Sequence, residues 1–164
     1  MNNYLNLLDK IDRFAASVRG RHEAEFACRP GCSECCVSGI TVWRVEFDRL
    51  ESYIKERLPS AAAPLTEGRE PPGPCPLLDK ACRCTIYEAR PVVCRLWGLP
   101  QLSAGALTCC DKNFRNDTRA EDLSAADVVD MDTVLKTLAA INHVYCKERG
   151  LDPTERLILG EASR

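Results

Sequence analysis

The placement of cysteine constrains this sequence more than any other feature. The chain has 164 residues and 11 cysteines, and ten of these cysteines lie between residues 28 and 110. Proline and glycine are frequent in that region, and both favour turns and loops over regular elements. A single free cysteine usually packs as a small hydrophobic residue, but packing does not explain ten thiols gathered in turns and loops. The pattern therefore predicts metal binding.

The first dense segment reads Cys28-Arg-Pro-Gly-Cys32-Ser-Glu-Cys35-Cys36. Proline and glycine after Cys28 predict turns that fold the thiols inward. A metal ion about 2.3 Å from each sulfur needs ligands that converge from different directions, and the C-x2-C spacing of Cys32 and Cys35 supplies two of them from one tight turn.

The other cysteines follow after a long gap. Six of the ten prolines lie between Pro59 and Pro76, so we expect a proline-rich loop over residues 59–76. Cys146 stands apart in a strongly helical pattern, and we assign it to packing. The remaining candidate ligands are Cys75, Cys82, Cys84, Cys94, Cys109 and Cys110.

Three segments resemble the CxxCxxCC cysteine-cluster family of the YkgJ type, whose domain is described as zinc- or iron-chelating. They are Gly31-Cys-Ser-Glu-Cys-Cys36, Cys75-Pro-Leu-Leu-Asp79 and Cys84-Thr-Ile-Tyr-Glu-Ala-Arg-Pro-Val-Val-Cys94-Arg95. The third is the most specific, since it resembles the family's C-x-[IV]-Y-E-x-R-P-x-x-C-R stretch at every defined position. The resemblance covers roughly residues 28 to 98.

The resemblance implies which cysteines bind the metal. Cys28 departs from the pattern, because three residues separate it from Cys32 where the family name implies two. The spacing does not decide whether the eighth ligand is Cys82, Cys109 or Cys110. We include Cys109 in the predicted set. The predicted metal ligands are Cys28, Cys32, Cys35, Cys36, Cys75, Cys84, Cys94 and Cys109.

Two arginines bracket Cys94 in the sequence. A site with several thiolates is negatively charged, and guanidinium groups offset such charge through charge-assisted hydrogen bonds. Arg90 and Arg95 are therefore predicted to support the metal centre, with solvent exposure and pairing of Arg90 with Glu88 as the alternative.

All predicted ligands are sulfur, because His22 and His143 lie outside the cysteine-rich region. Thiolate ligands select zinc or iron–sulfur clusters and disfavour magnesium, calcium and manganese. The irregular spacing, the Cys75-Pro76 pair and the long gap favour an iron–sulfur cluster over zinc. Two closed zinc sites of four cysteines each remain the alternative.

Three functional classes follow from these metals: an iron–sulfur protein in electron transfer or cluster delivery, a zinc-stabilised binding module, and a small oxidoreductase or modifying enzyme. The sequence lacks catalytic triad, P-loop and dinucleotide motifs, so hydrolase, kinase and dehydrogenase functions have no support. The spacing of Cys28, Cys32 and Cys35 also resembles radical S-adenosylmethionine enzymes, but the chain is too small for their barrel and lacks its strand–helix alternation.

Charge and hydropathy exclude other classes. Lys and Arg total 22 against 24 Asp and Glu, and this net charge of −2 leaves no basic face for nucleic acid. No apolar run approaches the roughly 18 residues of a membrane span, so we expect a soluble protein without a membrane partner. The N-terminal segment does not resemble a secretory signal, so we expect the cytoplasm, where cysteines stay reduced. A disulfide-rich exported domain is the alternative, and a protein partner stays open.

Hydrophobic periodicity predicts a mostly α-helical, irregular, metal-stabilised single domain over residues 1–164, with several helices and a short hairpin around the cysteine cluster at 28–110. The hairpin is predicted at Leu77–Tyr87. The predicted helices are 3–19, a second one through Phe47, Leu50, Ile54 and Leu58, a short one at 91–97, a long C-terminal one at 124–150, and a terminal one at 153–159.

Overall fold

Four α-helices carry most of the regular structure in the computed structural model, which describes residues 1–57, 73–115 and 119–159. The helices are α1 (Asn2–Arg21), α2 (Arg44–Arg57), α3 (Val92–Leu96) and α4 (Met131–Lys147). The strands are β1 (Thr41–Trp43), β2 (Gln101–Ser103), β3 (Ala106–Thr108), β4 (Val129–Asp130) and β5 (Arg156–Ile158). Several helices with small sheets agree with the predicted fold class.

The chain divides into two compact units. The first unit contains Met1, Pro30–Pro91 and Ile141–Arg164, and the second contains Asn2–Arg29 and Val92–Ala140. Helix α4 contributes its first ten residues to the second unit and its remainder to the first. The single domain and the metal stabilisation stay predictions.

The first unit is built around α2 and a two-stranded sheet. Strands β1 and β5 pair antiparallel, with Val42 opposite Leu157. Asn142 is fully buried, accepts a hydrogen bond from the Val45 amide at 3.1 Å and donates one to the Pro153 carbonyl at 3.0 Å. The apolar face of α2 is buried as its periodicity predicts, through Val45, Phe47, Leu50 and Ile54.

The second unit packs α3 against α1. Helix α1 confirms the helix predicted at 3–19 and buries one face through Tyr4, Leu8, Ile11, Ala15 and Val18. The buried Arg95 on α3 donates to both carboxylate oxygens of Asp12, at 2.8 and 2.5 Å. A three-stranded sheet in the order β3-β2-β4 completes the unit.

The start of the long C-terminal helix was predicted wrongly. Helix α4 begins at Met131 rather than at Ser124, because Asp130 caps it by accepting hydrogen bonds from the Thr133 amide at 2.9 Å and the Thr133 hydroxyl at 2.7 Å. Before the cap, Val129 lies in strand β4 opposite Gln101 of β2. Val129 therefore belongs to a strand, and Val128 directly precedes that strand instead of lying in the predicted helix.

The predicted terminal helix is also wrong, because residues 156–158 form strand β5. Asp152, which directly precedes the predicted helix, lies in a turn instead. Its carboxylate accepts the Thr154 amide at 2.8 Å within a turn, and the chain then pairs with β1.

The predicted hairpin at Leu77–Tyr87 is reduced to one antiparallel bridge, between Leu78 and Cys84. The regular hairpin is β2–β3, whose turn residues Ala104 and Gly105 have φ of 48° and 79°. The short helix predicted at 91–97 is confirmed as α3. Most of the predicted loop at 59–76, and the end of the second helix at Leu58, lie outside the described residues.

No helix in the described ranges is long and apolar enough to cross a membrane.

Asp127 fixes the segment that precedes α4 to the end of α1. Its carboxylate accepts hydrogen bonds from Ser124 Oγ and from Arg21 Nε, each at 2.7 Å. These partners, with Ser124 the strongest, hold the pKa of Asp127 below its usual range. A carboxyl group with a lowered folded-state pKa stabilises the fold above its unfolded pKa, and this contribution is lost as pH falls through the folded-state pKa.

We predict that Asp127→Asn lowers the free energy of unfolding by about 1 kcal/mol at pH 7, because it removes a charge-assisted hydrogen bond. Urea titrations followed by circular dichroism at pH 7 and at acidic pH measure the difference. The gap between wild type and variant should close in acid, whereas an equal gap at both pH values would contradict the role of the charge. Asp9→Asn, which alters an exposed ion pair with Arg13, is the matched control.

Candidate metal centre

The cysteines fall into two groups, one in each unit. The first thiol group comprises Cys35, Cys36, Cys75 and Cys84, all in the first unit together with Cys32. The second thiol group comprises Cys28, Cys109 and Cys110, all in the second unit together with Cys94. The predicted ligands therefore do not all belong to one unit.

Backbone pairing joins the two segments that carry Cys36 and Cys75. The Cys75 amide donates to the Cys36 carbonyl at 2.9 Å, and the Ser38 amide donates to the Gly73 carbonyl at 2.8 Å. Val37 and Pro74 form the antiparallel bridge between these hydrogen bonds. Cys36 and Cys75 are thus neighbours although the intervening chain is long.

A closed turn attaches Cys84 to the same place. The Thr85 amide donates to the Leu77 carbonyl at 2.9 Å, beside the Leu78–Cys84 bridge. Asp79 closes the turn, because one of its carboxylate oxygens accepts hydrogen bonds from the backbone amides of Ala81 and Arg83, both at 2.8 Å. These local hydrogen bonds bring Cys84 back towards Cys75.

Cys82 lies on that turn, is exposed and has a φ of 57°. Its exposure distinguishes it from Cys84, which is partly buried.

Burial favours the neutral form of three thiols in the first thiol group. It is the largest cause of the raised pKa of Cys36, Cys75 and Cys84. Negative charge on Cys84 would raise the pKa of Cys36 and of Cys75 further, so these three thiols are close enough to act on one another. Without a cation, the neutral thiols are favoured at neutral pH.

Arg90 supplies positive charge to this group. Its guanidinium lowers the pKa of both Cys36 and Cys84, against the larger effect of burial. The guanidinium carbon lies 3.6 Å from the centre of the Tyr87 ring, and Nε donates to the Tyr87 carbonyl at 2.9 Å. Stacking and hydrogen bonding therefore fix Arg90 near the thiols.

Arg95 and Cys94 both lie on α3 in the second unit. Arg95 pairs with Asp12 on α1, which gives it a structural partner. Cys94 is partly buried. The supporting role of Arg95 and the ligand role of Cys94 stay predictions.

Asn113 organises the second thiol group. Its buried side-chain Oδ1 accepts a hydrogen bond from the Ala27 amide at 2.9 Å. Its Nδ2 donates a hydrogen bond to the Gly98 carbonyl at 2.7 Å and lies 3.7 Å from Cys28 Sγ. The backbone amide of Asn113 also donates to the Cys110 carbonyl at 2.9 Å. One side chain thus connects the three segments that surround these thiols.

Gly98 provides the space between the thiols of the second group. Its φ is +89°, and an added Cβ would lie 3.3 Å from both Cys28 Sγ and Asn113 Nδ2. Cys109 Sγ donates to the Gly98 carbonyl at 3.3 Å. Burial raises the pKa of Cys109 to about 11, against a smaller lowering by a hydrogen bond from the Cys110 backbone.

Cys146 is fully buried, and its thiol lies 3.6 Å from Asn142 Oδ1. The prediction that it packs in the core is confirmed.

The donors fit a thiophilic metal in chemical type, since each group offers neighbouring thiols. Within residues 1–57, 73–115 and 119–159, however, no three His, Cys, Asp or Glu side chains are grouped closely enough to hold one metal ion. Changing a cysteine χ1 from one staggered rotamer to another moves the sulfur by about 3 Å. Coordination therefore requires the thiols to turn towards one another.

Sequence reasoning missed Asn113 and the hydrogen bond between Cys75 and Cys36. A lone asparagine after a pair of cysteines carries no motif. The pairing of Val37 with Pro74 joins two irregular segments and leaves no periodic signal.

Comparison with known proteins supports metal chelation. No significant match was found among the curated proteins or among the solved structures. Residues 27–104 match the model of the CxxCxxCC family, a domain described as zinc- or iron-chelating, so the resemblance seen in the sequence is confirmed over this part of the chain.

Proposed function

We propose that the first thiol group, together with Cys32, holds an iron–sulfur cluster used for electron transfer, cluster handling or redox chemistry. The observation that carries this proposal is the backbone pairing that makes Cys36 and Cys75 neighbours and the turn that returns Cys84 towards them. Arg90 lies near these thiols, and the region matches a zinc- or iron-chelating family.

The number of thiols supports a cluster. The first unit has five predicted ligands, one more than a closed four-cysteine zinc site uses. Cysteine followed by proline also occurs in bacterial ferredoxin ligand runs, and Cys75-Pro76 has this form. Partial burial of the thiols and a nearby guanidinium are the features through which proteins tune cluster potentials.

Arg90 is the side chain of this unit that we propose to support the centre. A metal bound to several thiolates leaves net negative charge, and a fixed guanidinium stabilises that charge without displacing a ligand. The stacking of Arg90 on Tyr87 holds the guanidinium in place at little further cost in side-chain entropy.

Zinc is the second candidate, and the turn that carries Cys32 and Cys35 favours it. A turn at Pro30–Gly31, with Gly31 at φ 91°, precedes the C-x2-C pair, and the Cys36 amide donates to the Ser33 carbonyl at 2.9 Å. Such turns are frequent in structural zinc sites, which are redox-silent.

Anaerobic purification under reducing conditions distinguishes the two metals. We expect a brown protein with broad visible absorbance from sulfur-to-iron charge transfer, and iron with acid-labile sulfide by elemental analysis. A colourless protein that contains zinc and no iron contradicts the iron–sulfur assignment and leaves a zinc-stabilised module. Absence of both metals contradicts the proposal as a whole.

We predict that Cys36→Ser and Cys84→Ser each lose most of the bound metal, because a serine hydroxyl is a far weaker ligand for a soft metal at neutral pH. Metal content per folded chain, measured after anaerobic purification, is the readout. Cys146→Ser is the matched control, since its hydroxyl can retain the contact with Asn142. Full metal retention in both the Cys36 and Cys84 variants contradicts the ligand assignment.

We also predict that metal removal loosens the first thiol group. Chelation under reducing conditions should speed amide exchange at Cys75 and Thr85 by at least about tenfold, because structural zinc supplies on the order of 10 kcal/mol of folding free energy in small peptides. Exchange within α1 should change less, since its apolar face is buried independently of these thiols. Equal protection of Cys75 and Thr85 in a verified metal-free, reduced sample would show that the metal is not structural.

A further inference from the structure

We propose that the second thiol group is a separate metal site that takes a thiophilic divalent ion of the zinc class through Cys28, Cys109 and Cys110. It belongs to the second unit, whereas the iron–sulfur proposal concerns the first. Cys109 and Cys110 also lie outside the matched family region at 27–104.

The convergence of distant segments on Gly98 is the first argument. The side chain of Asn113 hydrogen-bonds both the Ala27 amide and the Gly98 carbonyl, which are 86 and 15 positions away in sequence. Cys28 directly follows the residue that is held, and the Asn113 amide anchors Cys110. The segment of Cys28 is therefore held beside the segment that carries Cys109, Cys110 and Asn113.

The backbone at Gly98 is the second argument. A glycine with φ of +89° leaves open the volume beside Cys28 Sγ that a side chain would otherwise fill. The Gly98 carbonyl faces the same thiols, as its contact with Cys109 Sγ at 3.3 Å indicates. The thiol of Cys110 makes a long contact with Asp111 Oδ1, at 3.9 Å. Coordination of one ion requires a change of rotamer at these cysteines, which moves each sulfur by about 3 Å.

The boundary between the units is the third argument. It falls between Arg29 and Pro30, directly after Cys28. The gap of three residues between Cys28 and Cys32, where the family name implies two, coincides with this boundary. Cys28 therefore belongs to the unit that contains Cys109 and Cys110.

The donor set determines the ion. Three thiolates select a soft or borderline ion, and zinc accepts them in a four-coordinate site whose remaining position another donor or water fills. Magnesium and calcium prefer oxygen donors and do not compete.

The test uses the full chain, purified anaerobically and reduced, with ¹¹³Cd²⁺ alone as the probe of thiolate coordination. We expect a cadmium signal in the thiolate range and a shift of the side-chain amide signals of Asn113, whose Nδ2 lies 3.7 Å from Cys28 Sγ. If the Asn113 signals do not move in the wild-type protein, the site proposed here does not exist.

Variants separate this site from the first thiol group. Cys109→Ser and Cys28→Ser should each abolish the response of Asn113 to cadmium, whereas Cys36→Ser should retain it. Retention of the Asn113 response in both the Cys109 and Cys28 variants overturns the proposal. The Cys36 variant tests whether the two sites bind metal independently, because it removes a ligand of the first thiol group. Loss of the Asn113 response in this variant would also overturn the proposal of a separate site. If a variant fails to fold, the wild-type measurement still decides the outcome.

Discussion

The hydrogen bond from the Cys75 amide to the Cys36 carbonyl is the contact on which the candidate centre depends. It links two irregular segments at the point where each carries a thiol, and the Ser38–Gly73 hydrogen bond extends the pairing. Neither segment belongs to a helix or to a sheet of more than one bridge. The position of the first thiol group therefore rests on a few backbone hydrogen bonds, each worth about 1 kcal/mol net.

Burial and charge oppose one another at these thiols. Burial favours the neutral thiol, so it raises the pKa of Cys36, Cys75 and Cys84, while Arg90 lowers the pKa of Cys36 and Cys84. One guanidinium does not outweigh burial. A bound cation would reverse the balance, because a coordinating thiol loses its proton. Metal binding and the folding of this region are then coupled through the same charge.

Helices with a clear apolar stripe could be predicted from the sequence. Helix α1 repeats apolar residues at steps of three and four, and α3 is preceded by proline and followed by Gly98 in a left-handed conformation. The failures occurred where a short polar side chain decides the structure. Asp130 caps α4 later than periodicity indicates, and Asp152 closes a turn before a strand rather than a helix.

The candidate site was predictable in chemistry and less so in arrangement. Spacing identifies cysteines as ligands, but it does not report which cysteines fold together, because that depends on contacts such as those of Asn113. The spacing in the sequence indicates that Cys28 and Cys32 belong to one motif. In the fold they belong to different units, and the boundary between the units lies directly before Pro30. The four residue steps from Cys28 to Cys32 span at most about 14 Å, which limits how far apart the backbone can place them. This limit does not require the two thiols to bind the same metal. A cysteine-rich segment can therefore supply ligands to two different sites, and the backbone between the cysteines decides which.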